Sequence, residues 1–416
     1  MPATTTQTSV LERFLRYVQL DTASDPASPT TPSTAKQLVL LDLLVSELKA
    51  LGLADAARDE AGIVMATVPG NTGRSGAPVI GFLAHVDTSP ELSGAGVKPI
   101  LHREYDGRDL VLPDAPNPVL SPKEDADLAA KRGEDIVTAS GSTLLGADDK
   151  AGVAVVMAAV ERWMRAPAPP HGTIRIAFTP DEEIGRGVRQ FDVRRFGARC
   201  AYTLDGAGVG TFEAETFSAD SMAVTFQGRN THPGFAHGVM VNAVKVAADF
   251  VSRLPRNTLS PETTQDVEGF VHPNDVKASV DRTSVHFIIR DFETRELAVK
   301  EDFLRKLATE TVKDWPGSSV AFEVKESYRN MRDALAQHPQ VVALAREAVR
   351  KAGLNLVESR IRGGTDGSIL TEMGLPTPNL FSGQHRFHSR LEWVSVQDME
   401  KAVQVVVNLA ELWAGA

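Results

Sequence analysis

Residues 79–87 read Val79-Ile80-Gly81-Phe82-Leu83-Ala84-His85-Val86-Asp87, an apolar run that ends in groups able to bind a metal or hold a proton. A short run with no polar residue on either face predicts a strand buried on both sides of a sheet. Two further strand-like stretches follow, Thr173–Phe178 and Ala198–Leu204, and the helical pattern Ala151–Met164 lies between the first strand and these. Strands alternating with helices predict an α/β sheet covered by helices. In extended chain, residues two apart share a face, so His85 and Asp87 point to one side at the carboxyl end of their strand. Open α/β sheets gather ligands at such ends, and a carboxylate commonly orients a metal-binding imidazole. Taken alone, the tripeptide also fits a structural histidine satisfied by a neighbour.

Working outward, the chain has 416 residues, of which 42% are hydrophobic and 24% charged. At roughly 100–200 residues per domain this length predicts two or three domains. Lys and Arg number 44 against 54 Asp and Glu, a formal net charge of −10. With no long basic run, that balance argues against nucleic acid and anionic membrane as partners. The single cysteine, Cys200, rules out an intrachain disulfide, suits a reducing compartment, and reads as a small core residue in an apolar run. The opening MPATTTQTSVLERFLRYVQL lacks the basic segment and apolar core of a secretory signal, and no run of about 18 apolar residues could span a membrane. The expected location is the cytoplasm.

Ser9-Val10-Leu11-Glu12 reads as a capping box that opens a helix with Leu11, Phe14, Leu15 and Val18 on one face. A second helix, Lys36–Leu51, stops at Gly52, and its dense apolar positions from Leu38 to Leu48 predict burial on two sides. The Ser/Thr/Pro stretch Thr22–Thr34 predicts a loop. Near Phe217–Gln227 the pattern changes to alternation, with Met222, Val224 and Phe226 on one face. A helix at Val241–Leu254, a strand at Ser284–Arg290, a helix at Val299–Trp315 and a strand at Ser319–Lys325 follow. That order predicts a small α+β layer, residues 215–329, inserted between two parts of a larger α/β domain, residues 1–214 and 330–416. The second part holds a helix at Val341–Ala352 and a final helix from Ser395 to Trp413, with Ser395 and Asp398 placed to cap it.

Several acidic or glycine-rich segments fall at strand or loop ends. Gly146-Ala147-Asp148-Asp149-Lys150-Ala151-Gly152 precedes an apolar helix, where adjacent carboxylates can simply cap. Gly141–Gly146 begins like a phosphate loop, but the lysine it requires is Ala147. Thr179-Pro180-Asp181-Glu182-Glu183-Ile184-Gly185 sets three acids side by side after a strand, where they repel unless cations are present. Leu204-Asp205-Gly206-Ala207-Gly208-Val209-Gly210 fails as a dinucleotide motif, because position 211 is Thr and no helix follows. Late in the chain, Arg362-Gly363-Gly364-Thr365-Asp366-Gly367 permits close backbone approach to a ligand, and His385 and His388 offer imidazoles between which spacing alone does not choose.

Together, His85, Asp148, Glu183, Asp205 and one late histidine supply two imidazoles and three carboxylates, a donor set for a pair of Zn²⁺, Co²⁺ or Mn²⁺ ions. One carboxylate would bridge the ions, water would be activated between them, and Glu182, beside Glu183, is placed to act as general base. A serine or cysteine hydrolase is not supported: there is no G-x-S-x-G, and nothing in the sequence activates Cys200.

HVDTSP at His85–Pro90, GADDKAG at Gly146–Gly152, TPDEEIGRG at Thr179–Gly187 and IRGGTDG at Ile361–Gly367 together resemble the peptidase T, or tripeptide aminopeptidase, branch of the dizinc aminoacylase/carboxypeptidase-like metallopeptidase family. The likeness runs from the N-terminal helix to the closing MEKAVQVVVNLAELW. It implies a mixed-sheet dizinc exopeptidase domain with an inserted ferredoxin-like lid domain, two Zn²⁺ per subunit with Co²⁺ or Mn²⁺ as substitutes, small peptide substrates and a homodimer. On this resemblance His85, Asp205 and bridging Asp148 hold one zinc, and Asp148, Glu183 and His388 the other. His388 is chosen because the family's late ligand is followed four residues on by Glu, here Glu392. Asp87 would orient His85, Glu182 would deprotonate the bridging water, and His232 of the inserted domain would stabilise the oxyanion. Asn242 and Arg290 would hold the peptide's C-terminal carboxylate, for which the arginine fork is suited. The rival within the family is a dipeptidase, carboxypeptidase or aminoacylase; the rival outside it, a metal- or peptide-binding protein without catalysis, is disfavoured by the presence of Glu182.

Overall fold

The computed structural model describes residues 8–74, 76–114, 116 and 118–416; the first seven residues of the N-terminal stretch read above for a targeting signal lie outside the described residues. The chain divides into two compact units. One holds the residues up to Ala214, Asp333–Ser359 and Thr365–Ala416, and the other Glu215–Arg332 and Arg360–Gly364.

In the first unit the strand Ile80–His85 is buried along its whole length. It lies between two parallel neighbours, Ile174–Thr179 and Cys200–Gly206. Ile80 stands opposite both Ile174 and Cys200, and His85 opposite Thr179, so the carboxyl ends of three strands finish close to one level. The full sheet runs Ala57–Arg58, Val64–Val68, Ile174–Thr179, Ile80–His85, Cys200–Gly206, Asn379–Phe381, Thr211–Thr216, Val357–Ile361. Val64–Val68 pairs antiparallel to both its neighbours and Thr211–Thr216 antiparallel to Asn379–Phe381, while Asn379–Phe381 joins Cys200–Gly206 in parallel, so the sheet is mixed. A smaller antiparallel sheet places Gln384–His385, Trp393–Ser395, Ile136–Thr138 and Ile100–His102 side by side.

Alternation along the central strand feeds two cores. Phe82 packs on one face between Trp163 and Tyr202, with ring centroids 5.8 and 5.9 Å away. Leu83, on the other face, joins Met65, Ala177, Phe191, Phe196 and Leu370. Burying each of the Phe, Leu and Met side chains among these stabilises the fold by roughly 1.5–3 kcal/mol. Helix Ala147–Met164, buried over nearly its whole surface, packs on the central strand and against helices Val10–Tyr17 and Val396–Gly415. The Ser9–Glu12 capping box is present, but Leu11 and Leu15 are only half-buried, and the deep side of that helix is Val10, Phe14, Tyr17 and Arg13. Arg13 turns inward because Glu47 and Glu161 meet it at 2.8 and 2.9 Å. Helix Gln37–Ala50 is buried on one side, through Leu40, Leu41, Leu44 and Leu48, and not on two; Val39 is 56% exposed. Cys200 is core, its thiol pushed up to about 12 by burial. Among the described residues no helix is long and apolar enough to cross a membrane.

The second unit is a four-stranded antiparallel sheet in the order Phe270–Ala278, Arg282–Asp291, Ser218–Gln227, Ser319–Tyr328. Helices Ala243–Ser252 and Thr294–Lys313 cover one face, where Met222, Val224, Phe226, Phe250, Phe287 and Ile289 meet Leu297 and Leu304. The β-α-β-β-α-β order is that of the ferredoxin-like split motif. Strand Phe270–Ala278 has no counterpart in the sequence reading. It is an edge strand whose last five residues are exposed, so no apolar alternation announces it.

Candidate metal centre

Parallel strand ends set the first donors in place. His85 is the last residue of its strand, and Asp205 stands one residue from the end of Cys200–Gly206. After Ile174–Thr179 the chain turns sharply through Asp181 (φ +56°), a single 3₁₀ turn at Glu182–Ile184, and Gly185 (φ +66°). Asp87 organises both segments: its Oδ1 lies 3.3 Å from His85 Nδ1, and its carboxylate accepts the backbone N–H of Glu182 at 2.9 Å and of Glu183 at 3.2 Å. The three acids of the turn separate. Asp181 is taken up by Ser33 and Gln37, which donate to it at 2.5–2.6 Å, leaving Glu182 and Glu183 to the centre.

Two triplets of donor atoms share one carboxylate. His85 Nε2 lies 3.1 Å from Asp148 Oδ1 and 3.7 Å from Asp205 Oδ1. His388 Nε2 lies 3.3 Å from Asp148 Oδ2 and 2.9 Å from Glu183 Oε2. The two oxygens of Asp148 therefore face different imidazoles. Asp148 sits where the chain is not yet regular helix (φ −81°, ψ 104°), which frees its carboxylate from the capping role open to it in sequence. Asp149 takes that role, accepting from Gly152 N at 3.1 Å and also from His85 N at 3.3 Å.

Burial pushes the Glu182 carboxyl well above its usual range, with repulsion from Asp205 and Asp366 adding to it. Burial and then Asp148 raise Glu183 to about 8, and the same two causes raise Asp205. Asp148 goes the other way: hydrogen bonds from His388 and His85 overcome its burial and hold it low. Glu183 Oε1 is buried with no hydrogen-bond partner among the described residues. Crowded carboxylates, an orphaned acid oxygen and two imidazoles fit a divalent cation well, and mixed N/O donors suit Zn²⁺, Co²⁺ or Mn²⁺. Ligand atoms of His85, Asp148 and Glu183 lie within 4.8 Å of one another, as do those of His85, Asp149 and Asp205.

The structure separates the two late histidines. His385 stacks on Trp393, centroids 4.0 Å apart, and its Nδ1 lies 3.5 Å from Asp127. His388, at φ +58°, is the one brought to Asp148 and Glu183. Arg386 is spent on Asp125 at 2.7 Å and the Glu124 carbonyl at 2.6 Å. Sequence reasoning missed several surrounding contacts. Asp366 donates its backbone N–H to Glu182 Oε1 at 3.2 Å while its carboxylate accepts from Thr179 Oγ1 at 2.7 Å; the glycine-rich motif marked its position but not this role. Glu392 accepts three backbone N–H bonds from the loop carrying Asp148, and Gln384 donates to Asp205. Nothing in the sequence marks Gln384.

His232, Asn242 and Arg290 belong to the second unit. His232 is exposed, and its Nδ1 accepts from Gly234 N at 3.1 Å, which fixes the tautomer with the proton on Nε2. Asn242 caps helix Ala243–Ser252, accepting from Val244 N at 2.9 Å and leaving its amide nitrogen as a donor. Arg290 lies over the Phe270 ring, 5.9 Å from its centroid, and donates to the Arg362 carbonyl at 3.1 Å.

Residues 135–412 match the profile of Peptidase family M20/M25/M40. A peptidase T of Geobacillus sp. (strain WCH70) is 46% identical over 97% of this chain and 98% of its own length. A peptidase T of Clostridium botulinum (strain Langeland / NCTC 10281 / Type F) is 45% identical over 97% and 99%. The solved aminopeptidase PepT of Bacillus cereus ATCC 10987 superposes with a TM-score of 0.74 at 23% identity, covering 99% of both chains. A dinuclear metal binding peptidase of family M20 from Bacillus subtilis superposes with a TM-score of 0.65 at 15% identity over 97% of each. These two share the fold. A profile match over more than half of the sequence, joined to near-full-length relatives well above 30% identity, makes this chain a member of Peptidase family M20/M25/M40.

Proposed function

We propose that this chain is a metal-dependent aminopeptidase that releases the N-terminal residue from tripeptides. The observation that carries the proposal is the pair of donor triplets joined through the two oxygens of Asp148. His85, Asp148 and Asp205 would hold one Zn²⁺, and Asp148, Glu183 and His388 a second in the same subunit. Ions held there would supply Lewis acidity toward the scissile carbonyl and would lower the pKa of the attacking water. Glu182 belongs to neither triplet. Its carboxylate, with Oε1 held by the Asp366 N–H, takes the proton of the attacking water and passes it to the leaving amine. Asp87 keeps His85 turned toward Asp148 through its contact at Nδ1. His232 presents an Nε2–H suited to a developing oxyanion. Arg290 and Asn242 supply donors for the peptide's terminal carboxylate, the arginine as a charged fork.

The peptidase T relatives support the choice of tripeptides. Likeness to the family also supports a homodimer acting on small peptides in the cytoplasm. A panel of di-, tri- and tetrapeptides with N-acyl amino acids tests substrate class. Cleavage of tripeptides with dipeptides and acyl compounds untouched is expected. Hydrolysis confined to dipeptides or acyl compounds would replace the tripeptidase reading with a dipeptidase or aminoacylase.

A further inference from the structure

Gln384, His388 and Glu392 are spaced four apart on one hairpin-like segment, whose strands Gln384–His385 and Trp393–Ser395 pair antiparallel. Each residue reaches the donor cluster at a different point. Gln384 Nε2 donates to the Asp205 carbonyl at 3.0 Å and to Asp205 Oδ1 at 3.1 Å. His388 meets Asp148 and Glu183. Glu392, 1% exposed, accepts from Leu145 N at 2.7 Å and Gly146 N at 2.8 Å on Oε2, and from Asp148 N at 3.0 Å on Oε1.

The Glu392 contacts supply what the helix cannot. Gly146 stands at the helix N-cap with φ +82° and has no side chain to accept the orphan N–H groups that follow. Asp148 and Asp149 are non-helical, so regular helix geometry does not fix the direction of the Asp148 carboxylate. The N–H of Asp148 is fixed by Glu392, and from that anchor its two oxygens reach two imidazoles.

We propose that Glu392 is the positioning residue for bridging Asp148 and Gln384 the positioning residue for Asp205, so that one short segment carrying His388 sets both halves of the metal centre. The proposal rests on the two-ion reading above. It makes a division that a purely structural role would not. Loss of Glu392 disturbs the donor shared by both ions, whereas loss of Gln384 disturbs the donor of one. Glutamine at position 392 keeps a single carbonyl oxygen, so at least one of the three N–H groups loses its acceptor and faces an amide donor instead.

The test is a calorimetric titration of Co²⁺ into the full-length, chelator-stripped protein, followed in parallel by the visible Co²⁺ spectrum, with far-UV circular dichroism to confirm folding. Partners that orient metal ligands typically contribute about 10–100-fold in affinity. E392Q is expected to weaken both binding events by about that factor and to shift both spectral steps, and Q384L to weaken one event only. A folded E392Q that binds both ions with wild-type affinity and spectrum overturns the proposal. So does Q384L weakening both events or neither, and that variant alone decides the matter if E392Q does not fold. Wild-type protein that takes up no ion would instead sink the two-ion reading, a result distinct from failure of the positioning roles.

Discussion

Gly152 is where the fold constrains the centre most tightly, and Gly152→Ala is the sharpest structural perturbation. A Cβ at this position would lie 2.1 Å from the Leu204 carbonyl oxygen, next to Asp205, and 2.4 and 2.7 Å from the two Asp149 carboxylate oxygens. Real Cβ atoms essentially never approach within 3.0 Å, so helix Ala147–Met164 and strand Cys200–Gly206 would have to part by about 0.9 Å. One partner is backbone and the other a buried carboxylate already bonded to Gly152 N and His85 N, so neither can swing aside. Overpacking of this kind costs about 1–3 kcal/mol, and rigid neighbours place it at the upper end, about 3 kcal/mol. The same displacement moves Asp148 relative to Asp205, and a misplacement near 1 Å lowers turnover by about 10²-fold. Urea unfolding and tripeptide turnover at saturating substrate and metal are the assays. Gly415→Ala is the control, because nothing lies within 4 Å of a Cβ there. A Gly152→Ala protein with stability within 0.5 kcal/mol of wild type and turnover within twofold would refute the reasoning.

Glu182→Gln keeps the donor triplets intact, so metal content should hold while turnover falls by about 10²–10⁴-fold; near-normal turnover removes Glu182 as the base. Arg13→Met removes one of the two guanidiniums that meet Glu161, which is 0% exposed. Among the described residues Arg165 and the Thr8 N–H stay on its carboxylate, so the loss in urea unfolding should be about 1.5–3 kcal/mol, that of a charged hydrogen bond, and a loss under about 1 kcal/mol would show the Arg13 contact to be dispensable. Arg290→Ala should raise KM for a free-acid tripeptide about 10–100-fold, from the 1.5–3 kcal/mol of a charged hydrogen bond, with less effect on the C-terminal amide. Equal effects on acid and amide would take Arg290 out of carboxylate recognition.

What the sequence made legible follows from pattern strength. The strand Ile80–His85 is buried on both faces, so its sequence carries the unbroken apolar run Val79–Ala84, and its chemistry begins at its last residue. Acids at the ends of neighbouring strands could be located because each follows a strand signal. Partners within the centre could not be assigned from spacing: that Asp181 turns to Ser33 and Gln37 while Glu182 and Glu183 turn inward depends on contacts across some 150 positions of chain. Asp148 and Asp149 look alike in sequence, yet one faces two imidazoles and the other caps a helix. The edge strand Phe270–Ala278 was invisible because half of it faces solvent. Helix Thr294–Lys313 begins five residues before the periodicity suggests, since it opens on the polar residues Thr294, Arg295 and Glu296.

The most direct test follows release of leucine from Leu-Gly-Gly while Zn²⁺ is titrated into chelator-stripped protein. No cleavage without metal, and a rise that levels near two equivalents per chain, is the predicted result. Cleavage indifferent to chelator, or none at any metal concentration, would contradict the account.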